Sequence, residues 1–413
     1  MIEATGARSG PLFVHASPRG GSTFFFHALR RANSLICFNE VLNDGLAGTS
    51  KRALARRKQK IGWDFNHDFL EENDRAEIIQ AWNWFGAVYP ALPAFRDFFP
   101  HEGKLPGYLR VYLDSFINYA DAVSKRPAFC EVYSRGRAGA LRAAYGGYHI
   151  AQVRDPISQF GSLFRAVEER GLWPYLSYPV MELGANGTAT LCALIPPAWA
   201  LPSYPWPGRT PTETWLSFNN YKLLVASPRP SALELAFRTH ILSWMLTNLA
   251  AICFSDLLLD IDKLHDDPTY RAGTVAALKS EVGIAPDFSR LTKFTRHLRF
   301  EAFDMEAVCH AVMQFVTGAL DDGRLEAAVS ALSPEGQRVS TRVAVELLSD
   351  KLERALESMG ATVQRHVSNK EWVEIASMHR VIWQNDRWKK TAAFLYPVGA
   401  PVVHWIRRLR GAV

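Results

Sequence analysis

Short unbroken apolar runs alternate with longer segments whose apolar residues recur every three or four positions. The first run, opening at Leu12, predicts a short buried strand, followed by a tight glycine turn and a helix over Phe24–Arg31. Ser34–Phe38, Pro127–Tyr133 and Tyr148–Val153 read as further strands, with a helix over Ala138–Tyr145 that Gly146-Gly147 stops. Leu233–Phe254 reads as a long buried helix and Asp256–Leu264 as a last buried strand. Beyond Pro286 the period is mainly helical, through Glu301–Leu320 and Arg342–Met359. Alternating strand and helix predicts an α/β fold, a central parallel sheet flanked by helices. The expected division is an α/β domain over residues 1–290 and a mainly helical extension over 291–413. The domain would carry a helical insertion at about 44–125 and an irregular loop or lid at about 184–229.

Composition narrows the function classes. With 413 residues, 48% hydrophobic and 21% charged, the chain can bury a large core, and wholesale disorder is excluded. A net charge of +6 suits an enzyme that handles anionic small molecules, and it calls for no nucleic-acid partner. Cys37, Cys130, Cys192, Cys253 and Cys309 are scattered, without disulfide or zinc spacing, as expected in a reducing compartment. No apolar signal core opens the chain, and Ile241–Phe254 is too short and too polar, at Trp244, Thr247 and Asn248, to read as a membrane span. The expected location is cytoplasmic. In the tail Phe394–Arg410, Trp405 and Ile406 beside Arg407, Arg408 and Arg410 suit peripheral contact with an anionic membrane surface. Pro397, Gly399 and Pro401 interrupt a continuous helix there.

The densest chemistry lies at residues 12–31. A strand, a tight turn and a helix start aim backbone N–H groups at one spot, which suits phosphate or sulfate. Gly20 and Gly21 allow close approach, Ser22 and Thr23 add hydroxyls, and Arg19 adds a fixed charge. The turn is not a Walker A loop, because its cation precedes the glycines and no lysine follows them.

A second strand-to-helix turn follows at Gln152–Arg165. Arg154 stands at the strand tip, Asp155 suits the helix cap and Pro156 its first position. Ser158 and Ser162 share one helical face, and a guanidinium beside a hydroxyl makes a second phosphate site.

Together the two turns resemble those of the nucleotide-dependent sulfotransferases. The first is similar to that family's 5′-phosphosulfate loop, Pro-Lys/Arg-Ser-Gly-Thr/Ser-Thr. The second is similar to its 3′-phosphate motif, Arg-Asp-Pro with a serine eight residues after the arginine, as Arg154 and Ser162 are spaced. Trp244–Pro268 resembles the family's helix, strand and Asp-Pro turn, with Asp260-Ile261-Asp262-Lys263-Leu264 replacing the usual Tyr-Glu-Asp-Leu strand end. Gly20 stands where serine is common, and Phe24 where many animal members have tryptophan. No C-terminal Arg-Lys-Gly segment is found, so the chain resembles bacterial and carbohydrate-modifying members more closely.

The resemblance implies a P-loop-like fold, 3′-phosphoadenosine 5′-phosphosulfate as donor and no metal. Arg19 and the amides of Gly20, Gly21, Ser22 and Thr23 would meet the 5′ end, with Arg19 facing the leaving phosphate; Arg154 and Ser162 would hold the 3′-phosphate. Glu40, after the second strand, takes the place of the general base in such members, with Asp44 in reserve. His15 and His27 flank the cradle and read as structural; Arg135 and Arg137 are candidates for lining the acceptor side. The basic run Lys51–Lys60 reads as a solvated helix face, or as a lure for an anionic acceptor. The expected acceptor is a hydroxyl on a carbohydrate or small metabolite. The competing readings are a P-loop-like nucleotide kinase, which would need magnesium and a loop lysine, and a non-catalytic nucleotide-binding or assembly module.

Overall fold

Why the strands are apolar throughout is explained by a sheet covered on both faces. The computed structural model describes residues 10–43, 46, 75–86, 97–184, 191–199, 222–289, 297–363 and 365–383. The first half comprises β1 (Leu12–His15), α1 (Ser22–Arg30), β2 (Leu35–Asn39), α2 (Ala76–Phe85), α3 (Gly107–Ala122), β3 (Arg126–Glu131), α4 (Ala138–Tyr145) and β4 (Tyr148–Val153). Next come α5 (Pro156–Arg170), α6 (Pro174–Gly184), α7 (Pro230–Cys253), β5 (Leu257–Asp260), α8 (Ile261–Asp266) and α9 (Pro268–Val282). The remainder is β6 (Leu298–Phe300), α10 (Met305–Asp321), α11 (Arg324–Ser330), α12 (Thr341–Thr362), β7 (Arg365–Val367) and α13 (Asn369–Trp383).

Strands β1 to β5 form one parallel sheet in the order β2-β3-β1-β4-β5. Because strand side chains alternate, Leu12 and Val14 meet Phe25, Phe26 and Leu29 of α1 and Leu278 of α9. Phe13 faces the other way, into a larger core with Phe116 of α3 and the apolar residues of α7. Helix α7 is buried on nearly every side, as its continuous apolar sequence requires. The same core continues into Val312 of α10 and Leu352 of α12, so these helices pack on the sheet's own covering layer. A small parallel pair, β6 with β7, joins the start of this region to its end.

One expected boundary moves. The segment read as a strand over Asp256–Leu264 is a strand only to Asp260, whose carboxylate accepts the amides of Asp262 and Lys263 and starts α8. Local capping outcompetes the apolar run. All five cysteines are buried free thiols. Among the described residues no helix is long and apolar enough to cross a membrane.

The topology marks one place on this sheet. The chain leaves β1 toward β2 and leaves the adjacent β4 toward β5, in opposite directions. Such a switch point opens a crevice beyond the carboxyl ends of the two strands, where α/β folds bind ligands.

Candidate functional site

Both predicted anchors lie at that crevice. After β1 the chain turns through Ser17–Gly21, where the Gly20 amide donates to the Ser17 carbonyl at 2.8 Å. Arg19 and Gly21 have positive φ, 62° and 88°, on either side of Gly20. A side chain at Gly20 would place its Cβ 2.8 Å from both Ser17 O and Ser17 Oγ, so only glycine fits. The turn bends the backbone into the kind of concavity that gathers N–H groups around an anion. The Gly20 amide itself is taken by the turn; the donors left for a ligand begin with α1. That helix has no side-chain cap and no acidic residue in its first turn, so its first N–H groups and its dipole face the crevice uncompensated.

Side chains from β4 and α5 hold the turn in place. Gln152 Nε2 donates to Gly20 O at 2.6 Å, and Arg154 Nη1 to Arg19 O at 2.7 Å. Gln159 Nε2 donates to Ser17 Oγ at 2.7 Å and to Pro18 O at 2.5 Å. Arg19 reaches across the crevice, its Nε donating to Ser162 Oγ at 3.0 Å. Arg19, Gly20, Gly21, Ser22, Thr23, Arg154 and Ser162 are thus one cluster. The side chain expected over its own loop lies instead against the hydroxyl of the second anchor.

The second anchor is built differently. Asp155 accepts the amides of Ile157 and Ser158 and caps α5, with Pro156 at its first position, as the sequence predicts. The other carboxylate oxygen takes His297 Nε2 at 3.0 Å. Burial alone would raise the Asp155 pKa, but the His297 and Ser158 hydrogen bonds outweigh it and hold the carboxyl below its ordinary value. The Asp155 amide donates to Asp262 Oδ2, and Lys351 of α12 bridges Asp260 and Asp262 at 2.8 Å each. Trp244 of α7 donates to Arg154 O at 3.1 Å. Burial pushes the Arg154 pKa down, partly countered by Asp262 and Asp155.

Glu40 follows β2, with β3 between it and β1. Two strand spacings, about 10 Å of backbone, therefore separate it from the cradle. Its backbone is held at φ 54°, and its amide donates to Cys130 O at 2.8 Å. Asn43 Nδ2 and Arg75 Nη2 both hold Oε2, at 2.5 and 3.0 Å, and among the described residues no bond falls on Oε1. Left-handed backbone at Arg19 and at Glu40, neither a glycine, costs of order 1 kcal/mol or more each, as it does at Asp97, Glu102 and Ser124. Glu131, at the end of β3, accepts the Val41 and Leu42 amides at 2.6 and 3.3 Å and so fixes the turn that carries Glu40. Burial pushes the Glu131 pKa up to about 8.

The remaining candidates separate. His15 is fully buried, hydrogen-bonded to Ser134 Oγ and His149 Nδ1; burial, with His149 and Arg142 nearby, lowers its pKa, so it is neutral and structural. His27 packs edge-on against Phe26 within α1. Arg137 serves the fold, donating to Tyr133 O and Asp97 O over the Phe98 ring. Arg135, two residues earlier, faces Glu182 at 3.3 Å beside the cradle. Phe24 packs on Phe288 at 6.0 Å. Asp44, Lys51–Lys60 and Phe394–Arg410 lie outside the described residues. Among the described residues no cluster of histidine, cysteine and carboxylate side chains could hold a metal.

Gln152, Gln159, Glu131, His297 and Lys351 were not singled out by the sequence. Gln152 and Gln159 bracket the second anchor, which is the one local signal they carry. No family model, curated protein or solved structure matches the chain. Fold and site therefore define a class only: an α/β protein with a parallel five-stranded sheet and a basic crevice at its switch point.

Proposed function

We propose that the chain is a P-loop-like sulfotransferase that moves a sulfuryl group from 3′-phosphoadenosine 5′-phosphosulfate to a hydroxyl of a carbohydrate or small metabolite. One observation carries the reading: Arg154 holds the Arg19 carbonyl while Arg19 holds Ser162, so an uncapped helix N-terminus and a guanidinium–hydroxyl site share one crevice. A donor with phosphate at both ends of its ribose asks for two such sites side by side.

In this reading the acceptor hydroxyl attacks sulfur in line, the new O–S bond forms, and the S–O bond to the 5′-phosphate breaks with its electron pair left on the phosphate. Positioning and charge stabilisation supply the catalysis. The N–H groups of α1 and Arg19 take the charge on the leaving phosphate, and Arg19 exchanges Ser162 Oγ for phosphate oxygen when donor binds. Arg154 and Ser162 hold the 3′-phosphate. Glu40 takes the acceptor proton on Oε1, with Oε2 anchored by Arg75 and Asn43.

The test is ligand-induced thermal stabilisation. The bisphosphate product, 3′,5′-bisphosphoadenosine, stabilises the protein and ATP–magnesium does not; stabilisation by ATP–magnesium alone overturns the reading in favour of a kinase. Arg154→Ala weakens bisphosphate binding by about 10- to 100-fold, the loss of charged hydrogen bonds. Glu40→Gln keeps that affinity and slows transfer of labelled sulfuryl to an acceptor panel by about 100- to 10,000-fold. Full activity in Glu40→Gln removes it as the base, and bisphosphate binding with no transfer by the unmodified protein leaves a binding module.

A further inference from the structure

Glu131 ends β3, the strand between the cradle and Glu40, and it is bonded to both sides. Its carbonyl accepts the amide of Ala16, the residue before the Ser17–Gly21 turn, at 2.9 Å. Its side chain serves the segment that follows β2. There the ladder between β2 and β3 ends with the Glu40 amide on Cys130 O at 2.8 Å. The Glu131 carboxylate takes over as acceptor, receiving the Val41 amide at 2.6 Å and the Leu42 amide at 3.3 Å. A side chain thus continues the edge of the sheet by two residues, and one residue ties together the two halves of the site.

Glu40 holds φ 54°, unfavourable for a residue with a side chain, so its turn relaxes unless its neighbours hold it. Arg75 Nη1 donates to the Glu40 carbonyl at 3.0 Å and the Tyr112 hydroxyl to the Val41 carbonyl at 3.1 Å. The amides of Val41 and Leu42 rest on Glu131. An ionised carboxylate offers two acceptor oxygens, whereas the neutral acid turns one of them into a hydroxyl, a poorer acceptor. The longer Leu42 bond is the one given up. Around this carboxyl stand Glu40 after β2, Arg75 before α2, Tyr112 of α3, Cys130 of β3 and His15, in register with it on β1. Tyr112, Cys130 and His15 are buried and neutral. Glu40 opposes ionisation of Glu131 and Arg75 favours it, but burial is the largest influence and sets the pKa at about 8.

We propose that Glu131 is a positioning residue: its ionised carboxylate locks the turn that carries Glu40 and so holds that side chain at a fixed distance from the donor cradle. The proposal rests on the transfer reading in treating Glu40 as the base; the lock on the turn does not. Glu131 then regulates the site from within the core. Loss of its proton tightens the turn of the base, while the Ala16 bond, made by the backbone, keeps the cradle as it is.

Two readouts on the full chain test it. In the first, NMR follows the Val41 and Leu42 backbone amides as the pH is raised. Both titrate with a midpoint near pH 8, Leu42 moving further, and Glu131→Gln abolishes the change. Amides that do not titrate in the unmodified protein overturn the proposal. In the second, transfer of labelled sulfuryl from 3′-phosphoadenosine 5′-phosphosulfate to the acceptor panel is measured over the same range. The expected kcat rises about 10-fold through that midpoint, the scale of effect of a small misplacement at a reacting group. In Glu131→Gln it stays at the low plateau, with KM for the donor and 3′,5′-bisphosphoadenosine affinity unchanged. A rise that survives in Glu131→Gln, or a change in donor KM in its place, overturns the positioning role. Absence of transfer by the unmodified protein, with the amide titration intact, sinks the transfer reading and leaves Glu131 as a lock on the turn. The amide titration of the unmodified protein needs no variant, so it decides the matter even where Glu131→Gln fails to fold.

Discussion

Two strand-to-helix turns stand side by side at the carboxyl edge of the sheet and treat their helix N-termini in opposite ways. The turn after β1 leaves α1 uncapped and stores left-handed backbone at Arg19 and Gly21. The turn after β4 caps α5 with Asp155 and braces that cap with His297, Asp262 and Lys351. The first offers backbone donors to a ligand; the second satisfies its own donors and offers side chains. Rigidity in one compensates for openness in the other, because Gln152, Arg154 and Gln159 of the braced unit hold the carbonyls and hydroxyl of the open one. A preorganised anion site needs such a partner, since unmet N–H groups on a loose loop would reorganise around water.

The contrast can be broken from either side. Gly20→Val acts on the open turn: its side chain collides with Ser17, and 3′,5′-bisphosphoadenosine binding should fall below detection in calorimetry at about millimolar ligand, some 1,000-fold weaker than a micromolar site. Affinity that survives would show that the turn does not bind the nucleotide. Lys351→Met acts on the braced turn by leaving the buried Asp260 and the half-buried Asp262 without their cation. The expected cost is about 3–5 kcal/mol of stability, read by urea unfolding, the usual effect of removing one partner from a buried ion pair. An unchanged midpoint would remove the brace from the account.

The smallest effect sharpens the contrast by pH. Asp155 has a folded pKa below its ordinary 3.8, so its contribution is complete above that value and is lost as the pH falls through the lower folded one. Asp155→Asn keeps an oxygen for the cap and should flatten this part of the melting profile below about pH 4. Helix α1, without a cap, contributes no such dependence, and an identical acid profile in the variant would refute the assignment.

What could be read beforehand follows the range of the forces involved. Gly20-Gly21 and Asp155-Pro156 write turns and caps within a few residues, and the strands carry their burial in unbroken apolar runs. Asp260 was legible in the same way, yet the apolar run masked it, and a strand end was read where a capped helix begins. The braces were not legible. Glu131 meets the Val41 amide across 90 residues, Lys351 meets Asp260 across 91 and His297 meets Asp155 across 142, so each becomes a partner only once the chain has folded back. Arg135 and Arg137 show the limit most directly. Two arginines in one short turn are equivalent as text, and only Asp97 and Tyr133 on one side and Glu182 on the other divide them into a fold residue and a site residue.

The position of Lys351 also sets a timetable for synthesis. A ribosome delivers Asp260 91 residues and Asp262 89 residues before Lys351, so over that stretch of synthesis the two carboxylates stand without their cation. The brace on the β4 turn is therefore the last part of the site to arrive, closing only when α12 docks on a sheet whose strands are all already made.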